Sequence, residues 1–277
     1  MSYRFGAPER ASYASGPYAA DMPVKARPAP VCPNCNWNGF YIGINYGTGI
    51  GRDRTTDRAD FSAPGVVALV SPGVVNPITA QQFRHAPYGF LAGGQLGYSW
   101  QSASWVFGVE VDWDWSGQKD TINTQSFVAS STSSNFASIA TTDEQKIKWL
   151  ATARARLGWA SDCVLWYVTG GPAWGQIANH YTFAAVGAAP GGGVLLQAPG
   201  VAADFQTNKT GFALGFGVET SLALFGLRAS NWTTKLEYLY VDLGTVTNSF
   251  SAPNTAGTAF YAYSGESKIR DHIIRAA

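Results

Sequence analysis

Ser104-Trp105-Val106-Phe107-Gly108-Val109-Glu110-Val111-Asp112-Trp113-Asp114-Trp115-Ser116 decides the fold of this chain. Successive side chains of a β-strand point to opposite faces. Trp105, Phe107, Val109, Val111, Trp113 and Trp115 therefore make one apolar face. Gly108, Glu110, Asp112 and Asp114 fall on the other, acidic one. A soluble sheet can bury such an apolar face too. The rest of the chain decides between the two settings.

The pattern recurs. Seven further segments alternate with period two: Trp37 to Gly47, Phe90 to Gln101, Lys146 to Trp159, Val164 to Ile177, Lys209 to Leu222, Trp232 to Leu243 and a short one from about Ser267 to Ala277. In the fourth of the eight, Ile147, Trp149, Ala151 and Leu157 oppose Lys148, Thr152, Arg154 and Arg156. Pro172 interrupts the fifth, which predicts a strand end or a bulge there. Connections alternate in length. Ser102-Ala103 and Ala160 to Cys163 are tight, whereas long Ser-, Thr-, Asn- and Gly-rich stretches join strands one to two, three to four, five to six and seven to eight. Short turns at one end and long loops at the other are the plan of a barrel in an outer membrane, loops outward.

Composition agrees. Of 277 residues, 13% are charged, 14% are aromatic and 31 are glycine; soluble domains carry about 25% charge. No run of about 18 apolar residues offers a transmembrane helix. A membrane setting then requires a closed barrel, since lipid satisfies no backbone group. A net charge of +1 gives no nucleic-acid signal. The expected class is all-β: an eight-stranded antiparallel up-and-down transmembrane barrel over residues 37–277, preceded by a disordered Pro-rich segment, 1–36. Trp37, Trp100, Trp105, Trp115, Trp149, Trp159 and Trp232 lie near strand ends and are expected to form the two interfacial girdles.

Inside, the pattern places Glu110, Asp112 and Asp114 beside Lys148, Arg154 and Arg156, with Glu219, Lys235, Glu237 and Arg275 from the later strands. Eight strands leave a lumen just wide enough for side chains. Charges there must pair, so a ladder of carboxylate–guanidinium contacts is expected; an ion path or a catalytic carboxylate pair is the competing reading. A charged interior also separates this barrel from the lipocalin type, which turns its apolar face inward. His85 and His180 fall in long connections and His272 begins the last strand, with no Ser/His/carboxylate spacing. No enzyme, cofactor or metal is expected; His180-Tyr181 as a haem ligand pair is the one cofactor alternative. Cys32-Pro33-Asn34-Cys35 has metal or redox spacing without a second pair, and reads as a small disulfide or free thiols.

Asn36-Trp37-Asn38-Gly39-Phe40-Tyr41-Ile42-Gly43 resembles the opening strand of Gram-negative porin-family outer-membrane immunogenic proteins, surface-antigen barrels with an OmpA-type eight-stranded domain. Gly93 to Tyr98, Tyr167 to Gly171 and Lys235 to Gly244 resemble its recurring segments, so the resemblance spans about Asp21 to Ala277. It implies residence in the cell outer membrane among lipid and lipopolysaccharide, insertion by the barrel-assembly machinery, and a structural and antigenic role. A narrow passive porin and a haem-binding surface protein are the alternatives, and an inactive fragment is a further one. Oligomeric state is not implied, and no catalytic residue is carried over. Two departures stand out. Met1 to Tyr18 lacks the apolar core of a signal, although Ala19-Ala20-Asp21 looks like the start of a mature exported chain. Members also finish the last strand on an aromatic, whereas here it is expected to be half length, leaving an unpaired edge against strand one. Beyond the resemblance, Cys163 lies in a turn at the same end as the start of strand one, which predicts that it reaches Cys32 or Cys35 in the oxidising periplasm.

Overall fold

The computed structural model describes residues 2–4, 35–61, 80–129, 136–188, 194–222, 231–253 and 260–277. Strands β2 (Gly39–Gly51), β5 (Tyr88–Ser102), β6 (Trp105–Ala129), β7 (Phe136–Ser161), β8 (Val164–Ala188), β9 (Val194–Ser221), β10 (Trp232–Pro253) and β11 (Phe260–Ala276) pair antiparallel in that order. β11 pairs with β10 along Leu236↔Ala276 to Pro253↔Phe260 and with β2 along Asp271↔Gly51 to Ala276↔Tyr46, so the ring closes. At 17 residues β11 is not the half-length strand expected, because it begins well before Ser267. β3 (Asp53–Phe61) and β4 (Ala80–His85) carry β2 and β5 outward past a break at Arg52 and Ala86-Pro87, and β3 also pairs with β11. A three-residue strand, β1 (Ser2–Arg4), lies between β10 and β2.

The opening stretch behaves as its alternation predicts. From Trp105 to Trp115 every odd residue is exposed, and from Val106 to Asp114 every even one is buried. The exposed set continues round the ring through Phe40, Ile42, Ile44, Phe90, Leu96, Leu157, Val168, Leu214, Phe216 and Leu236. A belt of this size, unburied in the protein, is what lipid covers.

Three further features differ from the sequence reading. A bulge in β7 sits between Ile147 and Trp149. An extra residue reverses the inside–outside sense beyond it. Ile147 is therefore buried inside, while Lys148, expected in the charged ladder, sits at the bulge and is partly exposed. Second, β8 runs straight through Pro172; the register with β7 is the same at Ala155↔Gly170 and Thr152↔Ala173, and only the pairs between them are missing. Pro172 costs a local gap in the ladder and ends nothing. Third, β1 lies within the segment expected to be disordered. Residues 1 and 5–34 of that segment lie outside the described residues, as do the tips of the outer connections. Much of each outer connection is itself β-structure: β6 to β9 run 25 to 28 residues, against the 9–11 or so that cross a bilayer.

The lumen is layered. Trp37, Val106, Ala160, Leu165 and Tyr167 pack at the periplasmic end. Toward the outer end Leu91, Ile147, Leu150, Leu239, Leu243 and Ile269 form a second apolar layer. Between them lies the charge cluster. Glycine makes room for its two tyrosines. A Cβ at Gly97 would overlap the Tyr41 ring, and one at Gly217 would stand 2.5 Å from Tyr167 Oη.

Candidate functional site: the charged lumen

Inward positions of β6, β7, β9, β10 and β11 bring Glu110, Asp112, Asp114, Arg154, Arg156, Glu219, Lys235, Glu237 and Arg275 together, all buried. Glu110 and Arg154 face each other in the β6–β7 register. Arg154 donates to Glu110 Oε1 (2.5 Å), Asp112 Oδ2 (2.8 Å), Glu237 Oε1 (3.0 Å) and Thr152 Oγ1 (2.8 Å). Arg275 reaches from β11 to Asp112 (3.0 Å), Asp114 (2.9 Å) and Glu237 (2.8 Å). Lys235 Nζ donates to both oxygens of Glu110 at 2.9 and 2.8 Å. Arg156 binds Glu219 Oε2 (2.8 Å), and its guanidinium lies 3.9 Å from the Tyr167 ring centre.

Two tyrosines outside the set of charges expected from sequence complete the cluster. Tyr41 receives a hydrogen bond from Arg156 (2.7 Å) and donates to Glu110 Oε2 (2.7 Å); Tyr167 donates to Glu237 Oε1 (3.0 Å). The one sequence signal for them is their place beside small residues on the inward face of strands one and five. The contacts cross the barrel rather than climbing one wall, since β6 is joined to β10 and β11 and β7 to β9 and β10. Glu110, Asp112, Arg154, Arg156, Glu237 and Arg275 each have several partners, and Lys235 holds both oxygens of Glu110, which offsets the cost of removing charge from water. The cluster offers fixed structure and no reacting group set apart from its neighbours.

The aromatic residues divide. Trp100, Trp105, Trp115, Trp159 and Trp232 are exposed on the outer face, Trp115 at 66%, and Trp149 is partly exposed. Trp105 and Trp159 stack edge to face, 5.0 Å between centres. Trp37 is not in the girdle. It is 1% exposed, folded under the lumen with its backbone N–H donating to Gln101 Oε1 (2.9 Å). Alternation places it on a strand, but it precedes β2 and turns inward. A disulfide joins Cys35 to Cys163, with Cα atoms 5.2 Å apart, and ties that same end together; Cys32 lies outside the described residues.

His85 is also a strand residue, buried at the outer rim. Its Nε2 meets Asp143 Oδ2 at 2.9 Å and its Nδ1 meets Asp120 Oδ2 at 3.2 Å. It lies beyond Ile50 and Tyr88, the last lipid-facing residues of their strands. Burial opposes its charge, but the two carboxylates outweigh burial and raise its pKa above the ordinary 6.5. Burial pushes the neighbouring Asp53 carboxyl up from 3.8 to about 7. Both groups hold a proton more tightly folded than unfolded. Their contribution is thus complete below the unfolded values and is lost as pH rises through the folded ones, for Asp53 through about 7. Hydrogen exchange around 53–56 and 84–86, corrected for intrinsic rate, should be faster at pH 8 than at pH 5.5. Equal protection at the two values would contradict this.

His180 and Tyr181 do not form a pair. Adjacent on β8, they face opposite ways: His180 lies outside against Asp204 Oδ1 (2.7 Å), and Tyr181 is buried beside the Phe205 ring. One iron cannot take both, so the residues do not fit haem in the arrangement the sequence suggests. Among the described residues no three His, Cys, Asp or Glu side chains converge as a metal site.

Residues 24–263 match the outer membrane protein beta-barrel domain family. The chain belongs to that family. This outer membrane beta-barrel protein resides in the cell outer membrane. It is similar to the 31 kDa outer-membrane immunogenic protein of Brucella melitensis biotype 1, 29% identical over 96% of this chain and 93% of that one. It is similar also to a 22 kDa outer membrane protein of Rhizobium leguminosarum bv. viciae, 28% identical over 78% of this chain and 69% of that one. Among solved structures, Ail, the attachment invasion locus protein of Yersinia pestis, aligns over 83% of this barrel protein and 97% of its own chain at 12% identity and a TM-score of 0.26.

Proposed function

We propose that this barrel is a structural component of the outer membrane whose outward hairpins form an antigenic surface, and that it acts without catalysis and without a conducting lumen. The names of the Brucella relatives support the antigenic part. The observation that carries the structural part is the charge cluster, whose contacts run wall to wall across a lumen already narrow for water. A pore requires that these pairs part, and every one of them shares partners with the next. Lipid and lipopolysaccharide cover the apolar belt in this reading, and the barrel-assembly machinery inserts it. The chain refolded in detergent and added to planar bilayers should give no discrete conductance steps, while intact cells should bind antibody raised against the folded protein. Reproducible steps that change with Asp112→Asn would replace this reading with that of a narrow porin.

A further inference from the structure

The eighth place in the barrel wall is occupied by two pieces of chain. β11 descends along β10 as far as Leu236↔Ala276, and Ala277 then exchanges two backbone hydrogen bonds with Lys235, at 2.8 and 2.9 Å. Below that point the same edge of β10 is paired by β1: Ser2 faces Thr233 and Tyr3 faces Trp232. On the other flank β11 leaves β2 at Ala276↔Tyr46, and β1 takes over at Ser2↔Gly43, Tyr3↔Ile42 and Arg4↔Tyr41. β1 and β11 are both antiparallel to both neighbours, so they point the same way along one line.

The registers on the two flanks agree. On β10, Ala277 stands at 235 and Ser2 at 233, leaving one place, 234. On β2, Ala276 stands at 46 and Ser2 at 43, leaving two places, 45 and 44, of which Ala277 takes the first. One place thus separates Ala277 from Ser2 on either side. A fortuitous contact has no reason to satisfy both edges without a slip, because a shift of one residue reverses every face of a strand. Tyr3 takes the place between Trp232 and Ile42, both exposed to the lipid side. Unpaired strand edges are costly in lipid. Addition of an extended segment to two free edges removes that cost by main-chain hydrogen bonds.

We propose that residues Ser2–Arg4 are a donor strand, inserted between β10 and β2 within the same chain, and that the barrel's periplasmic rim closes only when this segment is in place. The segment acts in line with β11 as the lower part of one wall strand.

Three variants test this in refolded full-length protein, read by the mobility difference between boiled and unboiled samples. Removing Ser2–Arg4 should reduce the shifted, folded band at least tenfold. Moving Met1–Arg4 to follow Ala277 should restore it, because the strand becomes continuous in the same register. The same transfer with one glycine inserted between should not restore it. A cysteine pair, Ser2→Cys with Thr233→Cys in a Cys32→Ser background, should cross-link at the mass of one chain. Full folding of the deletion, equal rescue by the slipped transfer, or cross-linking only between two chains would each overturn the proposal.

Discussion

Arg154→Met should destabilise the folded barrel by about 3–5 kcal/mol. The cluster holds five carboxylates, Glu110, Asp112, Asp114, Glu219 and Glu237, against four cations, Arg154, Arg156, Lys235 and Arg275. Arg154 touches three of the carboxylates, Glu110, Asp112 and Glu237. Methionine fills similar volume, so loss of packing contributes little and the penalty is that of carboxylates left buried without their cation. The double variant Arg154→Met/Glu237→Gln should recover part of the loss, because it removes a charge of each sign. Denaturant unfolding in detergent, followed by tryptophan fluorescence, measures both. A single-variant loss below about 1 kcal/mol would mean that water reaches the cluster and screens it, since pairs exposed to solvent are worth little. The wall-to-wall arrangement would then be too loose to block the lumen.

Cys163→Ser should cost about 5 kcal/mol if the Cys35–Cys163 bond forms in the periplasm. The two residues are 128 apart in sequence. Loop closure of that length removes entropy from the unfolded chain worth about 5 kcal/mol at 25 °C, an upper value because engineered and natural bridges often deliver less. The bond fastens the segment before β2, including Trp37, to the turn between β7 and β8, so its loss should be felt at one end. Trp37 should become accessible to a water-soluble quencher in the variant and in protein treated with reductant, and in neither should the outer rim change. Peptide mapping under non-reducing conditions that finds Cys163 as a free thiol would remove the basis of this expectation.

The wall of the barrel is legible in the sequence because lipid and lumen impose opposite demands on alternate residues. Where both demands act, as along Trp105 to Trp115, the sequence pattern and the burial pattern coincide. Legibility fails where one demand lapses. The inner layer of Leu91, Leu239, Leu243 and Ile269 makes both faces of its strands apolar, so only the preceding Lys235 and Glu237 place Leu239 and Val241 inward. Above the membrane both faces meet water, hydropathy stops alternating, and the β-structure of residues 117–129 and 136–145 reads as part of a polar connection. The bulge at Lys148 leaves no mark in a stretch where charged and apolar residues already alternate; shifting the sense by one still gives a plausible strand. The site's charges can be found because each follows the parity of its strand. Its tyrosines escape notice because phenol side chains suit the lipid interface equally well. The short strand at Ser2 has no pattern to detect at three residues, and only the edges it fills define it.

β9 spans 28 residues, about 90 Å of extended backbone at roughly 3.3 Å per residue. About a third of that suffices to cross the bilayer. The remainder makes the molecule a rigid mast, and regular pairing dictates how such a mast changes under immune pressure. Its height can grow or shrink only by matched steps, one residue on each arm of a hairpin, because an unmatched residue reverses the sense of all that follows. Lineages of this protein should therefore differ in length at the outer hairpins mostly by even numbers, and antibodies against it should recognise paired strands rather than linear peptides.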